Sequence, residues 1–180
     1  MSWIKEVKKE DNLELKKIYE AAENRTGEET ANVLKVHSLK PKTLQAHMML
    51  YETLMFGQSE LSRQQREMIG VVVSRANSCP YCVSHHGEAM ALISNDSALM
   101  QKLADDYQKA DLKPQDLTIC KYSEKLTKTP YKMIEKDIED LRQVGLSDEA
   151  IFDVNQIVAY FNYVNRIVHG LGVDLEKKDD

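Results

Sequence analysis

Apolar residues recur every three or four positions along most of the chain, which is the spacing of a helix face rather than of a strand. Leu15, Ile18 and Ala22 mark a first helix that ends near Gly27, and Pro41 opens a second through Leu44, Met48, Tyr51 and Met55, closed by Gly57. Ser62 with Gln65 three residues later reads as a capping box for a third helix reaching about Asn77. Val71, Val72 and Val73 make its middle apolar on several sides, a sign of deep burial. A fourth helix follows to about Ile93, and Leu99, Leu103 and Tyr107 mark a fifth after the Asn95-Asp96 break. Pro114 opens a sixth. Thr129 and Pro130 give an N-cap and first-turn signal for a helix carrying Ile134, Ile138, Leu141 and Val144 and stopped by Gly145. Ser147 caps the last and clearest helix, with Ile151, Val154, Val158, Phe161, Val164 and Val168 on one face, ended by Gly170-Leu171-Gly172 ahead of a charged tail. The pattern predicts an all-α fold, a single domain over residues 1–180 built as a bundle of about seven or eight helices.

Composition supports the same picture. The chain is 42% hydrophobic with only seven glycines and four prolines, fewer turn residues than a β-sandwich or barrel requires. A net charge of −5 argues against nucleic acid as the main partner, which calls for a clustered Lys/Arg surplus. The residues from Met1 to Lys9 lack an apolar leader segment and no apolar run is long enough to span a bilayer, so a cytoplasmic protein without a membrane partner is expected. In a reducing compartment three cysteines do not make a structural framework, and closing a CxxC loop removes little unfolded-state entropy.

The chemistry gathers at Cys79-Pro80-Tyr81-Cys82, with His86 four residues on. Proline after Cys79 fits the first position of a helix, which puts Cys79 at the N-cap and Cys82 at N3. Both sulfurs then lie at the positive end of a helix dipole, which favours thiolate and predicts lowered pKa values. Cys79, Cys82 and His86 fall on one stripe, so the imidazole can reach the second sulfur. On the preceding helix Glu67, Ser74 and Asn77 or Ser78 share a broad polar face leading toward Cys79. A carboxylate, two thiols and an imidazole in one cluster can move the protons that a thiol must lose, and a departing oxygen must gain, in peroxide reduction. Spacing by itself leaves the order of the thiols open: in thioredoxin-like CxxC motifs the first is usually the attacker, whereas here His86 lies one turn from Cys82.

The series Glu67, Ser74, Asn77, Cys79, Tyr81, Cys82 and His86 resembles the ExxxxxxSxxNxCxYCxxxH pattern of alkylhydroperoxidase D-like proteins, in the carboxymuconolactone decarboxylase-like superfamily. The stretch from Tyr160 to Arg166, with Gly170 to Val173, looks like the peroxidase-related branch, except that His169 stands where that branch has an acidic residue. The resemblance implies an all-helical, homo-oligomeric antioxidant enzyme, a trimer or hexamer, that reduces peroxides without a cofactor. It implies that Cys82 becomes a sulfenic acid, that Cys79 resolves it into a disulfide, and that Glu67 and His86 relay protons. The disulfide would be reduced by a dithiol partner of lipoyl or thioredoxin-like type. Since the related decarboxylases lack the cysteine pair, lactone decarboxylation is not expected.

Other uses of these residues compete. The same dithiol serves a redox relay with little peroxide turnover, and Cys79, Cys82 and His86 supply three ligands of a zinc site, although the next cysteine, Cys120, is too distant for the usual second pair. Cys120 reads as a small buried apolar residue, and Glu67 by itself as an ordinary helix charge. His85 points about 100° away from the stripe. His37, His47 and His169 are isolated in sequence, and Asn162, Asn165 and Arg166 read equally as site-lining, subunit-contact or plain capping residues.

Overall fold

The computed structural model of the chain describes residues 2–94 and 96–176, and among the described residues there is no strand. The helices are α1 (Leu13–Thr26), α2 (Asn32–Lys35), α3 (Pro41–Phe56), α4 (Arg63–Ala76), α5 (Pro80–Ser94), α6 (Ser97–Asp106), α7 (Pro114–Lys128), α8 (Glu135–Gln143) and α9 (Asp148–Leu171). The all-α expectation holds. The backbone contacts divide the chain into two compact units, the first from residues 2–52 and 166–176, the second Thr53–Asn165.

In the first unit, α1 starts where the Asn12 side chain accepts a bond from the Leu15 N–H at 3.0 Å. It stops at Gly27, whose φ of 74° lies in the left-handed region that costs glycine nothing. Leu15, Tyr19, Ala22, Leu44 and Met48 form its core, joined by Val7, Ile18 and Leu34. The single turn α2 escapes the sequence pattern because four residues are too few to display a period. His37 and His47, isolated in sequence, are brought together: their rings stack with centroids 4.7 Å apart. His37 Nδ1 donates to the Val33 carbonyl at 2.8 Å. Burial pushes both imidazoles down, His47 to about 4, with His37 opposing its charge as well.

The second unit is organised by α4, which packs against α5, α6 and α7. Every residue from Arg66 to Ser74 is buried, as the run of valines predicts. The start of α4 is held twice. Ser62 and Gln65 form the expected capping box, and the buried Arg66 guanidinium donates to the carbonyls of Leu61 (3.1 Å), Leu54 (3.1 Å) and Gly57 (2.9 Å). One boundary differs from expectation. Thr129 does not cap a helix: its hydroxyl donates back to the Lys125 carbonyl at 3.3 Å, a local bond that competes with capping. Pro130–Lys132 is a short 3₁₀ turn, and α8 begins only at Glu135, where the Asp137 carboxylate accepts the Ile134 N–H at 2.8 Å. Ile134 therefore lies outside the helix and is 61% exposed. Asn95, proposed as part of a helix break, lies outside the described residues, as does the end of the charged tail from residue 177 on.

Candidate redox site

A three-residue turn joins α4 to α5 and decides where the thiols lie. The Asn77 N–H closes α4 on the Val73 carbonyl (3.0 Å), Ser78 takes a φ of 55°, and the Cys79 N–H then returns to the Ser74 carbonyl at 2.8 Å. A positive φ is unfavourable for serine, so the surrounding bonds must hold it. Cys79 follows as the residue before α5, and its carbonyl accepts the first helical bond, from the Val83 N–H at 3.0 Å. The N-cap and N3 positions expected of Cys79 and Cys82 are therefore the ones occupied.

At Cys82 the electrostatic expectation fails. Both cysteines are buried, at 0% and 2% exposure, and the Cys82 thiol is pushed upward from its ordinary pKa rather than lowered. The hydrogen bond with Cys79 is the largest cause, followed by burial and the charge of the Cys79 sulfur. A helix dipole contributes on the order of 0.3–1 kcal/mol, too little to offset removal of a thiolate from water. The Asn165 and Ser74 side chains act the other way, as hydrogen-bond donors to the same sulfur. His86, expected to serve the sulfur, is not among the groups that move it.

His86 instead bonds the carboxylate. Its Nδ1 donates to Glu67 Oε2 at 2.7 Å, and the second carboxylate oxygen is paired with the Arg63 guanidinium. Glu67 is fully buried, and a carboxylate at that depth costs several kcal/mol unless it is paired and hydrogen-bonded. Arg63 is itself tied down, donating to the Met55 carbonyl at 2.7 Å and lying 3.9 Å over the Phe56 ring. The imidazole is clamped from two sides. The Phe161 ring meets it in a T-shaped contact with centroids 4.3 Å apart, and a Cβ built on Gly70 would approach its Cγ to 2.9 Å. Glycine at position 70 is thus what lets α4 come close enough to α5 for Glu67 and His86 to bond.

Of the predicted residues, the second unit pairs Glu67 with His86 and Cys79 with Cys82, the two pairs being linked along α5, where His86 lies one turn after Cys82; Ser74 and Asn77 bond to Asn165. Two residues that spacing left unassigned also belong here. Arg63 lies one turn before Glu67, an i, i+4 pairing legible on a helix. Asn165 is fully buried, accepts from Asn77 Nδ2 at 2.9 Å and donates to Ser74 Oγ at 3.2 Å. Asn162 extends the network from Asn77 to the Thr127 hydroxyl. Arg166 and His169 are exposed. His85 stacks on Tyr81 at 4.5 Å, and Cys120 is buried with its thiol pushed up by burial first. Among the described residues no three of His, Cys, Asp and Glu form a group that could hold a metal ion, and His86 Nδ1 is committed to Glu67. A cavity of about 530 Å³ in the first unit, between Lys8, Lys9, Glu23 and Glu29, includes none of the predicted site residues.

Residues 41–94 match the carboxymuconolactone decarboxylase family model. No curated protein matches the chain. Among solved structures, a peroxidase-related protein of Silicibacter sp. TM1040 is 33% identical with a TM-score of 0.87, the alignment covering 92% of this chain and 86% of that one. A peroxidase-related protein of Ralstonia eutropha JMP134, described as an alkylhydroperoxidase core, is 26% identical with a TM-score of 0.91, covering 97% and 92%. The fold is also that of a variant of the debrominase Bmp8 in complex with 2,3,4-tribromopyrrole, at 16% identity, a TM-score of 0.83 and coverage of 98% and 94%. By this likeness over nearly its whole length, the chain belongs to the carboxymuconolactone decarboxylase-like superfamily, in its alkylhydroperoxidase D-like, peroxidase-related branch.

Proposed function

We propose that the chain is a thiol-dependent peroxidase that reduces hydrogen peroxide or organic hydroperoxides through a Cys79–Cys82 dithiol/disulfide cycle. The observation that supports this most directly is a pair of buried, hydrogen-bonded thiols at the start of α5 with His86, bonded to the buried Glu67 carboxylate of α4, one turn after Cys82. A thiol whose pKa is pushed up does not attack as a standing thiolate; it needs a base at the moment of reaction. The Glu67–His86 pair is suited to take that proton, with Arg63 holding Glu67 as the acceptor for Nδ1–H and leaving Nε2 as the basic nitrogen.

The steps balance as follows. Cys82 loses its proton to the relay and its sulfur attacks one peroxide oxygen; the S–O bond forms as the O–O bond breaks, and the departing alkoxide takes the proton. Sulfur is oxidised by two electrons to the sulfenic acid, and the peroxide is reduced to an alcohol, or to water from hydrogen peroxide. The Cys79 thiol then attacks the Cys82 sulfenic acid, releasing water and forming the disulfide. An external dithiol, lipoyl or thioredoxin-like, returns the pair to the reduced state with two electrons and two protons.

The test is an anaerobic titration of the reduced protein with cumene hydroperoxide, followed by alkylation, intact mass and peptide mapping, with Cys82→Ser as control. The reading expects two thiols lost per equivalent of peroxide, joined as Cys79–Cys82, with no disulfide in the control. Thiols that stay alkylatable in excess peroxide while exchanging rapidly with a lipoyl dithiol would replace it with a dithiol relay.

A further inference from the structure

The turn between α4 and α5 ends one helix and begins the next on the same residue. Two bonds close α4: the Ser78 N–H returns to the Arg75 carbonyl at 2.9 Å and the Cys79 N–H to the Ser74 carbonyl at 2.8 Å, the bond pair of a Schellman motif. That motif needs a left-handed residue at its corner, the place glycine usually fills. Here the corner is Ser78, at a φ of 55°, the one non-glycine residue with a positive φ among the described residues. Cys79 is then held from both sides. Its N–H belongs to α4, its carbonyl accepts the Val83 N–H of α5 at 3.0 Å, and Pro80 after it disfavours a helical backbone at Cys79. The acceptor is as fixed as the donor, since Ser74 is fully buried and its hydroxyl accepts from Asn165 Nδ2 at 3.2 Å. Ser78 itself is exposed, so what the turn uses is its backbone rather than a packed side chain.

From this geometry we propose that Ser78 is a positioning residue for the dithiol/disulfide couple: its left-handed backbone sets Cys79 at the N-cap of α5 and so sets how readily its sulfur joins that of Cys82. The inference rests on the reading of Cys79 and Cys82 as a redox pair. The two redox forms depend on the turn unequally. A disulfide requires Cα atoms about 4.4–6.8 Å apart, so in that form Cys79 must keep its place before α5. In the dithiol form no covalent bond holds it, and a residue that resists the left-handed region relaxes by letting the Cys79 N–H leave the Ser74 carbonyl. A substitution that opposes a positive φ therefore weakens the disulfide more than the dithiol, and the equilibrium moves toward the thiols.

The test equilibrates the full chain in glutathione buffers of graded ratio, followed by alkylation, intact mass and peptide mapping. As the Cys79–Cys82 bond forms, the S–S bond of oxidised glutathione breaks, and two electrons and two protons pass to two glutathione thiols. Ser78→Val and Ser78→Thr bring β-branched side chains, for which a positive φ is an outlier, whereas Ser78→Gly and Ser78→Asn accept it. The squared thiol concentration over the disulfide concentration of glutathione at half oxidation is expected to fall about fivefold in the first two variants. In the second two it is expected to stay within about twofold of the parent, with Tm raised by Ser78→Gly. Ser78→Thr keeps the hydroxyl and carries the test even if Ser78→Val unfolds. A residue with only a structural role would lower Tm and leave the redox midpoint where it was. An unmoved midpoint in folded Ser78→Thr, or a fall in Ser78→Gly as large as in Ser78→Thr, overturns the proposal. A Cys79–Cys82 disulfide that forms at no ratio overturns it together with the redox pair. A midpoint that moves as expected in a protein that hydroperoxide does not oxidise leaves the proposal standing and removes the peroxidase reading alone.

Discussion

The contact between Gly70 and His86 allows a substitution whose sign, not only its size, tests the architecture of the site. In the middle of a helix, replacing glycine with alanine stabilises by about 1 kcal/mol when the new methyl group meets open space. Here a Cβ at position 70 would lie 2.9 Å from His86 Cγ, 3.1 Å from Nδ1 and 3.2 Å from Cδ2, inside ordinary contact distance for all three ring atoms. The imidazole cannot retreat freely, because Phe161 meets it at 4.3 Å and Glu67 holds Nδ1 at 2.7 Å. If the ring holds its position, overpacking costs about 1–3 kcal/mol; if it swings away, a charge-assisted bond of about 1.5–3 kcal/mol is lost. Either cost outweighs the gain in helix propensity. Gly70→Ala is therefore expected to destabilise by about 1–2 kcal/mol, a fall in Tm of about 2–8 °C for a chain of this size. Urea unfolding monitored by circular dichroism reads the first quantity and thermal unfolding the second. Oxidation of Cys82 by hydroperoxide should slow at least tenfold, since the base is displaced. A variant stabilised by about 1 kcal/mol with an unaltered oxidation rate would refute the reasoning, because it would mean that α4 and α5 do not approach closely at the imidazole.

Three further outcomes are expected. Arg63→Met removes the guanidinium partner of a fully buried carboxylate and should destabilise by about 2 kcal/mol in urea unfolding, less than a wholly buried pair because Arg63 is partly exposed; Arg63→Lys should restore only part of this, since the bond to the Met55 carbonyl depends on the guanidinium fork. The His47 imidazole is held down to about 4 in the fold, below its unfolded value of about 6.5, so its contribution is fully present above about pH 6.5 and is lost as pH falls toward 4; this amounts to about 3 kcal/mol by linkage, and His47→Gln should flatten that limb of the stability–pH curve, an unchanged limb counting against it. Self-association into a trimer or hexamer is expected by family likeness, and sedimentation at micromolar concentration giving a monomer mass would overturn it.

Much of the fold is legible in the sequence because helix signals are local. The capping box of Ser62 and Gln65, glycine after Thr26 and proline after Cys79 each act within one turn, and each stands where a helix begins or ends. The signals fail where two local bonds compete, as at Thr129, whose hydroxyl turns back to Lys125, and where an element is too short for a period, as in α2. The candidate site divides the same way. Glu67, Ser74, Cys79, Cys82 and His86 lie within twenty residues on two successive helices, and their spacing carries the pattern. Arg63 was within reach of the same argument, one turn before Glu67, but a charge on a helix usually faces water, and only its pairing with a buried carboxylate distinguishes it.

The amino-acid order by itself determined that the chain is helical, where the two thiols stand at the start of α5, and which family they belong to, because periodicity, caps and motif spacing are properties of neighbouring residues. What only the tertiary structure decided is the electrostatics. The Cys79 hydrogen bond, followed by burial, reverses the sign of the shift expected at Cys82, since both depend on what is packed around a group and not on its helix position. The pairing of His86 with Glu67 rather than with sulfur, and the bond of Asn165 to Ser74, 91 positions earlier, depend likewise on the close approach at Gly70 and on the packing of α9, long-range contacts that no local pattern encodes.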